Sequence, residues 1–178
     1  MYINSLETRI QANGKFPVPL KGESYFHHHQ PVKFHATIEG TPLIITSEAG
    51  EIFLTDKRII FIARKPSPID DFENFQIMLE DITSSILFPS KKDTFSVNVT
   101  LRSGIEIIMS FSYEKDHLED KKIFEAYYGM LVAQASQGDQ SNDDDKDPLL
   151  QSSAIFEHLI LKSNRESILE SDTRQEFR

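Results

Sequence analysis

Residues 50–64, Gly-Glu-Ile-Phe-Leu-Thr-Asp-Lys-Arg-Ile-Ile-Phe-Ile-Ala-Arg, leave the chain little choice but a β-hairpin. Glu51–Leu54 is a short apolar run, and Ile59–Ala63 is β-branched and aromatic. Side chains of that kind are stiff at χ1 and pack well on a pleated surface. Between the runs, Thr55-Asp56-Lys57-Arg58 is a polar break of hairpin length. A lone hairpin is not stable in water, so more strands are needed.

The flanking sequence supplies them. Val32, Phe34, Ala36 and Ile38 alternate with Lys33, His35 and Thr37, the period of a half-buried strand. Leu43–Thr46, Phe75–Leu79 and Ile82–Phe88 are further candidates. Phe95, Val97, Val99 and Leu101 alternate with Ser96, Asn98 and Thr100; Arg102-Ser103-Gly104 then turns the chain into Ile105–Phe111. Roughly six to eight short strands without intervening helices predict a mainly β fold, an antiparallel sandwich or partly open barrel.

The period then changes. Ile123, Phe124, Tyr127, Tyr128, Leu131, Val132 and Ala135 form a helical stripe, and Gly138 stands where a helix stops. Asp116 and Glu119 have the spacing of a capping box. One amphipathic helix over 117–137 is expected to cap the sheet. The expected core holds Phe34, Ile52, Leu54, Ile60, Ile62, Val97, Val99, Ile107, Phe111, Phe124, Tyr127 and Leu131.

Three segments follow. Residues 1–24, with Asn13-Gly14, Pro17 and Pro19, are expected as a flexible lead-in, within which Ile3, Leu6 and Ile10 could form a short amphipathic turn. Residues 25–138 are the domain. Residues 139–178 are an acidic linker, dense in aspartate over Asp143–Asp147, and a partly helical tail with Ile155, Phe156, Leu159 and Ile160.

The net charge of −9 does not favour non-specific nucleic-acid binding, whose main term is phosphate neutralisation. No direct nucleic-acid contact is expected. With no cysteine, a disulfide scaffold and a cysteine-based zinc site are excluded. No apolar run approaches the ~20 residues that cross a bilayer, and the first residues lack an apolar secretory core. Cytoplasm and/or nucleus is the expected location.

Four groups of residues could carry chemistry. Of the triplet His27-His28-His29, only His27 and His29 share a strand face, and a metal would need further converging ligands, with His35 reached only if the chain doubles back. A solvated loop entering the first strand is the plainer reading, so no metal and no cofactor are expected. Lys57, Arg58, Arg64 and Lys65 around the hairpin are candidate contacts for an anionic lipid, with Lys91-Lys92 in a loop nearby in type. Asp56, Asp70, Asp71 and Asp93 dilute that charge, and the plainer reading pairs Arg58 structurally. Asp70-Asp71 and Glu80-Asp81 are carboxylate pairs of a solvent-facing kind. Without a Gly-x-Ser-x-Gly elbow, a phosphate-binding loop or a His-Glu-x-x-His pair, no enzyme is expected. The last group lies mostly in the tail. Asp145–Leu150 has the form of an acidic dileucine signal, and Ser141 and Ser67 fit acidophilic and proline-directed phosphorylation.

The segment Gly50-Glu51-Ile52-Phe53-Leu54-Thr55-Asp56-Lys57-Arg58-Ile59-Ile60-Phe61 resembles the G-x-(V/I)-(Y/F)-L-T-x-x-R-(V/I)-(I/V)-F pattern of GRAM domains, members of the pleckstrin-homology-like superfold. Phe72–Ile77, the turn at Gly104 and a helix ending near residue 137 fit the same layout, and the likeness covers about residues 25–137. The chain is most similar to the WW-domain-binding protein 2 family. That resemblance implies a non-catalytic adaptor with a transcription-coactivator-like role, chromatin association, protein partners, and a nuclear or cytoplasmic location; a phosphoinositide- or membrane-binding module is the alternative. Animal members carry Pro-Pro-x-Tyr motifs after the domain. Here residues 139–178 hold one proline, Pro148, and no tyrosine, so WW-domain binding through that motif is not implied.

Overall fold

The computed structural model describes residues 1–67 and 71–137. In chain order these form β1 (Tyr2–Ile3), β2 (Thr8–Gln11), β3 (Gly14–Pro17), β4 (Tyr25–Ile38), β5 (Ile44–Thr55), β6 (Arg58–Ala63), β7 (Asn74–Met78), a 3-10 turn (Leu79–Asp81), β8 (Ile82–Leu87), β9 (Thr94–Leu101), β10 (Glu106–Ser112) and α1 (Leu118–Gln137). One antiparallel sheet runs in the order β1-β7-β6-β5-β4-β10-β9-β8, and β2 and β3 form a separate hairpin. The expectations placed on 139–178, on the stop at Gly138 and on Asp70 lie outside the described residues.

The sheet cannot be flat. β7 and β10 stand four positions apart, which at ~4.8 Å per strand would separate them by about 19 Å. Yet the rings of Phe75 and Phe111 are 6.4 Å apart, and Phe34 on β4 lies 4.7 Å from Phe75 and 5.2 Å from Phe111. The sheet therefore curls into a half-barrel around a stack of phenylalanines. α1 closes it: Phe124 meets Phe95 edge-on at 5.0 Å, and Tyr128 does so at 5.1 Å. The Tyr128 hydroxyl keeps its hydrogen bond through Ser85 Oγ at 2.6 Å. This is the mainly β arrangement expected from the sequence: a curled antiparallel sheet with a single C-terminal helix.

Several local expectations need correction. Leu43–Thr46 and Glu51–Leu54 are not two strands; both belong to β5. Gly50 lies inside β5, where Phe61 on the neighbouring strand leaves no room for a side chain. A Cβ there would stand 2.3 Å from Phe61 Cζ and 2.6 Å from the Ile62 carbonyl. The β5–β6 register, Ile52 opposite Phe61, Phe53 opposite Ile60 and Leu54 opposite Ile59, puts Ile52 and Leu54 on one face and Ile60 and Ile62 on the other. The expected core grouped all four together. In fact Ile52 and Leu54 join the main core, while Ile60 and Ile62 pack with Phe53 and Leu6 in a second cluster, flanked by Phe16.

That second cluster explains the first 24 residues, which are not an irregular lead-in. β1 adds to the edge of β7, and Asn4 Oδ1 accepts the backbone N–H groups of Glu73 and Asn74. Asn74 Oδ1 accepts the Leu6 N–H at 3.1 Å, which seats Leu6 over the hairpin. Because this cover lies on the far side of β6, that strand is buried throughout. α1 starts one residue later than expected, and His117 Nδ1 rather than a capping pair contacts Asp120 in its first turn. Its buried stripe is Phe124, Tyr128, Met130 and Leu131. Tyr127 is only partly buried, against Phe26, and Ile123 is exposed.

Candidate functional site

The four basic residues proposed for an anionic ligand do not converge. Arg58 opens β6, whereas Arg64 and Lys65 follow its far end, about 20 Å away at ~3.3 Å per residue. Arg58 is also withdrawn from solvent, with its side chain 3% exposed. Its Nε donates to Glu23 Oε1 at 2.7 Å and its Nη2 to Glu23 Oε2 at 3.0 Å, a two-point pair. Nη1 donates to Gln76 at 2.7 Å, and Nη2 also reaches the Val18 carbonyl at 2.8 Å. Burial would push the Glu23 carboxyl up, but the Arg58, Leu20 and Thr55 hydrogen bonds outweigh it and hold it below its ordinary range. Arg58 therefore clamps the N-terminal segment to the β5–β6 turn. Lys57 donates from Nζ to the Lys21 carbonyl at 2.6 Å, while Arg64 and Lys65 are exposed.

A different surface stands out on the convex side of the sheet. Cross-strand registers place Ile44, Thr37, Ile108, Asn98 and Ile86 in one row running over β5, β4, β10, β9 and β8. Ile44 is 57% exposed, Ile108 44% and Ile86 58%. The adjoining rows are polar: Ser96 bonds Ser110 at 2.8 Å in a row that also holds His35 and Thr46, and Thr94 bonds Ser112 at 3.1 Å beside Lys33. Beside the row, Leu87 and Phe88 are exposed at the β8 end of the sheet. Each isoleucine had seemed an ordinary strand residue, because only the pairing register reveals that they align.

The histidine triplet lies within β4, not in a loop before it. As the pleat dictates, His27 and His29 turn inward and His28 outward. His28 stacks on Phe53 at 4.3 Å and pairs with Glu51 at 2.9 Å. His27 Nε2 lies 3.3 Å from the Tyr113 hydroxyl, and burial lowers its pKa to about 4. Burial likewise lowers that of His29, although Asp120 opposes the shift. Burial pushes Tyr113 well above the ordinary tyrosine range. His35 is exposed and does not join them. Instead the start of α1 delivers His117 and Asp120 to this corner: Asp120 Oδ2 is 3.8 Å from His29 Nδ1 and 3.1 Å from His117 Nδ1. An open groove adjoins it, lined by Lys33, Lys91 and Lys115 and by Glu48, Asp93, Glu114 and Asp116. Its four carboxylates outnumber its three lysines, which does not favour an anion.

Among the described residues, no helix is long and apolar enough to cross a membrane. No protein-family model matches the sequence, and no curated protein matches it. Among solved structures, the N-terminal PH domain of Vps36 is similar at 20% identity and a TM-score of 0.41, over 65% of this chain and 87% of that one. The DH/PH domains of PDZ-RhoGEF, in complex with GTP-γ-S-activated RhoA, are similar at 11% identity and a TM-score of 0.45; the match covers 65% of this chain and 31% of that one. At these values neither neighbour speaks to what the surfaces above bind.

Proposed function

We propose that this chain is a non-catalytic protein-binding module whose contact face is the convex side of the sheet. The observation that carries the proposal is the row Ile44–Ile108–Ile86, exposed between rows of polar side chains. Aligned apolar groups on an otherwise polar surface mark protein contact sites. An adaptor of the GRAM type, related to the WW-domain-binding protein 2 family and acting in a coactivator-like role at chromatin, in nucleus or cytoplasm, is supported by the 50–61 motif alone.

A phosphoinositide-binding module is the second reading, and it keeps Lys57, Arg64 and Lys65 as its contacts. Two arms separate the readings. Capture of a protein partner by the full chain, lost in Ile108→Glu and retained in Lys57→Glu, supports the first. Salt-dependent sedimentation with phosphoinositide vesicles, lost in Lys57→Glu/Arg64→Glu/Lys65→Glu and indifferent to Ile108→Glu, overturns it in favour of the second.

A further inference from the structure

We propose that His29, His117 and Asp120 form a binding site for a divalent transition-metal ion of the zinc class, joining β4 to the first turn of α1. The ligand atoms these three residues offer all lie within 4.8 Å of one another. Ligands held tetrahedrally at ~2.0–2.1 Å from zinc stand about 3.3–3.4 Å apart. The separations here are 3.1 Å from His117 Nδ1 to Asp120 Oδ2 and 3.8 Å from His29 Nδ1 to the same oxygen, so the three span one face of such a cage.

The second observation is His29 itself. It is 9% exposed, Nδ1 is too far from Asp120 to hydrogen-bond, and Nε2 is buried with no hydrogen-bond partner. A metal ion would take the lone pair of Nδ1, the nitrogen that faces Asp120 without a hydrogen bond, while Nε2 would keep its proton and remain unpartnered. Its ring is nonetheless held in place, stacked on Tyr113 at 5.0 Å and 4.9 Å from His117. His27 is not part of the set, because its Nε2 faces the Tyr113 hydroxyl.

The surroundings fit coordination. With Nδ1 of His117 toward the ion, the carboxylates of Glu114 and Asp116 lie 4.0 Å from its Nε2, beyond a direct hydrogen bond but close enough to favour a cation at this corner electrostatically. Asp120 and Glu114 are partly solvent-exposed, which leaves the ion a route in and a fourth position for water. Two imidazoles with one carboxylate select borderline ions such as Zn²⁺; Mg²⁺ and Ca²⁺ take oxygen ligands. The ion would pin the start of α1 to the mouth of the half-barrel.

The test is calorimetric titration of the metal-stripped full chain with Zn²⁺, with Co²⁺ as a visible-spectrum reporter. The expected result is saturable binding that excess Mg²⁺ does not compete away, with cobalt bands of tetrahedral type. His117→Ala, Asp120→Asn and His29→Phe should each weaken Zn²⁺ binding by at least about 10-fold, the lower end of what even an outer partner contributes. Melting in EDTA checks that each variant is folded, and only folded variants are compared. Absence of binding at about 100 μM Zn²⁺, an affinity too weak to matter, overturns the proposal. So does binding of unchanged affinity in all three variants, which would assign the ion to the aspartate-rich segment 143–147 or to the exposed His28 and His35.

Discussion

The β5–β6 hairpin and the β4–α1 corner both bury polar side chains, and they treat them in opposite ways. At the hairpin, Arg58 is well paired: Glu23 takes two of its hydrogen bonds, and Gln76 and the Val18 carbonyl take one each. At the corner, His29 has a nitrogen with no partner and another just beyond reach of Asp120. The first pattern is what structural polar residues look like, because a buried charge is tolerated only when paired. The second is what a site looks like when its groups are held for something else. The motif that resembles a family is therefore chiefly architecture, and the unspent chemistry lies elsewhere.

The contrast can be broken most forcefully at Arg58. Arg58→Met should lower stability by about 3–5 kcal/mol in urea unfolding, because Glu23 is left charged and unpaired. Adding Glu23→Gln should recover at least about 1 kcal/mol. If the single variant were neutral, the clamp would not be structural. Gly50→Ala comes next, at about 1–3 kcal/mol, since the new Cβ meets both the Phe61 ring and the Ile62 backbone.

Acid should find the same clamp. The folded-state pKa of Glu23 is lowered, so its contribution is fully present above the ordinary value of 4.5 and is lost as pH falls through the lowered one. In the Glu23→Gln/Arg58→Met double variant, stability should decline less steeply below pH 4.5 than in the parent. A parallel decline in both would place the acid sensitivity elsewhere.

At the corner the expected effects on stability are small. His29→Phe keeps the ring against Tyr113 and removes the unpartnered nitrogen, so metal-free stability should hold or rise by up to about 1 kcal/mol. A loss of several kcal/mol would make the corner as structural as the hairpin and erase the distinction. Smallest of all, Ile108→Glu on the convex face should change stability by no more than about 0.5 kcal/mol while abolishing partner capture.

How much was legible differs by the range of the interaction. The alternation in β9 and β10 was plain because Phe95, Val97 and Val99 face a core while Ser96 and Asn98 do not. That Leu43–Thr46 and Glu51–Leu54 join in one strand was not legible, because the glycine between them serves a turn or a close approach equally well and only Phe61 decides. The helix stripe was placed slightly off: Tyr127 and Tyr128 are both apolar enough to face inward, and Phe95 with Ser85 selects Tyr128. The polar composition of residues 1–24 concealed a cover, since a few apolar side chains, Leu6 and Phe16, suffice once Asn4 and Asn74 set the pairing.

The sequence by itself determined the mainly β class, the hairpin at 50–64, the C-terminal helix and that His27 and His29 share one face of any strand they form. Each of these follows from periodicity and turn chemistry within a few neighbouring residues. Only the tertiary structure decided that Arg58 is a buried clamp, that Ile44, Ile108 and Ile86 align, and that His117 and Asp120 meet His29. Those outcomes depend on register and curl, which bring together side chains nearly ninety positions apart, as Tyr113 and His27 are at a separation of 86. No local pattern records such a meeting, because the energy that fixes it comes from the whole sheet closing around its phenylalanines.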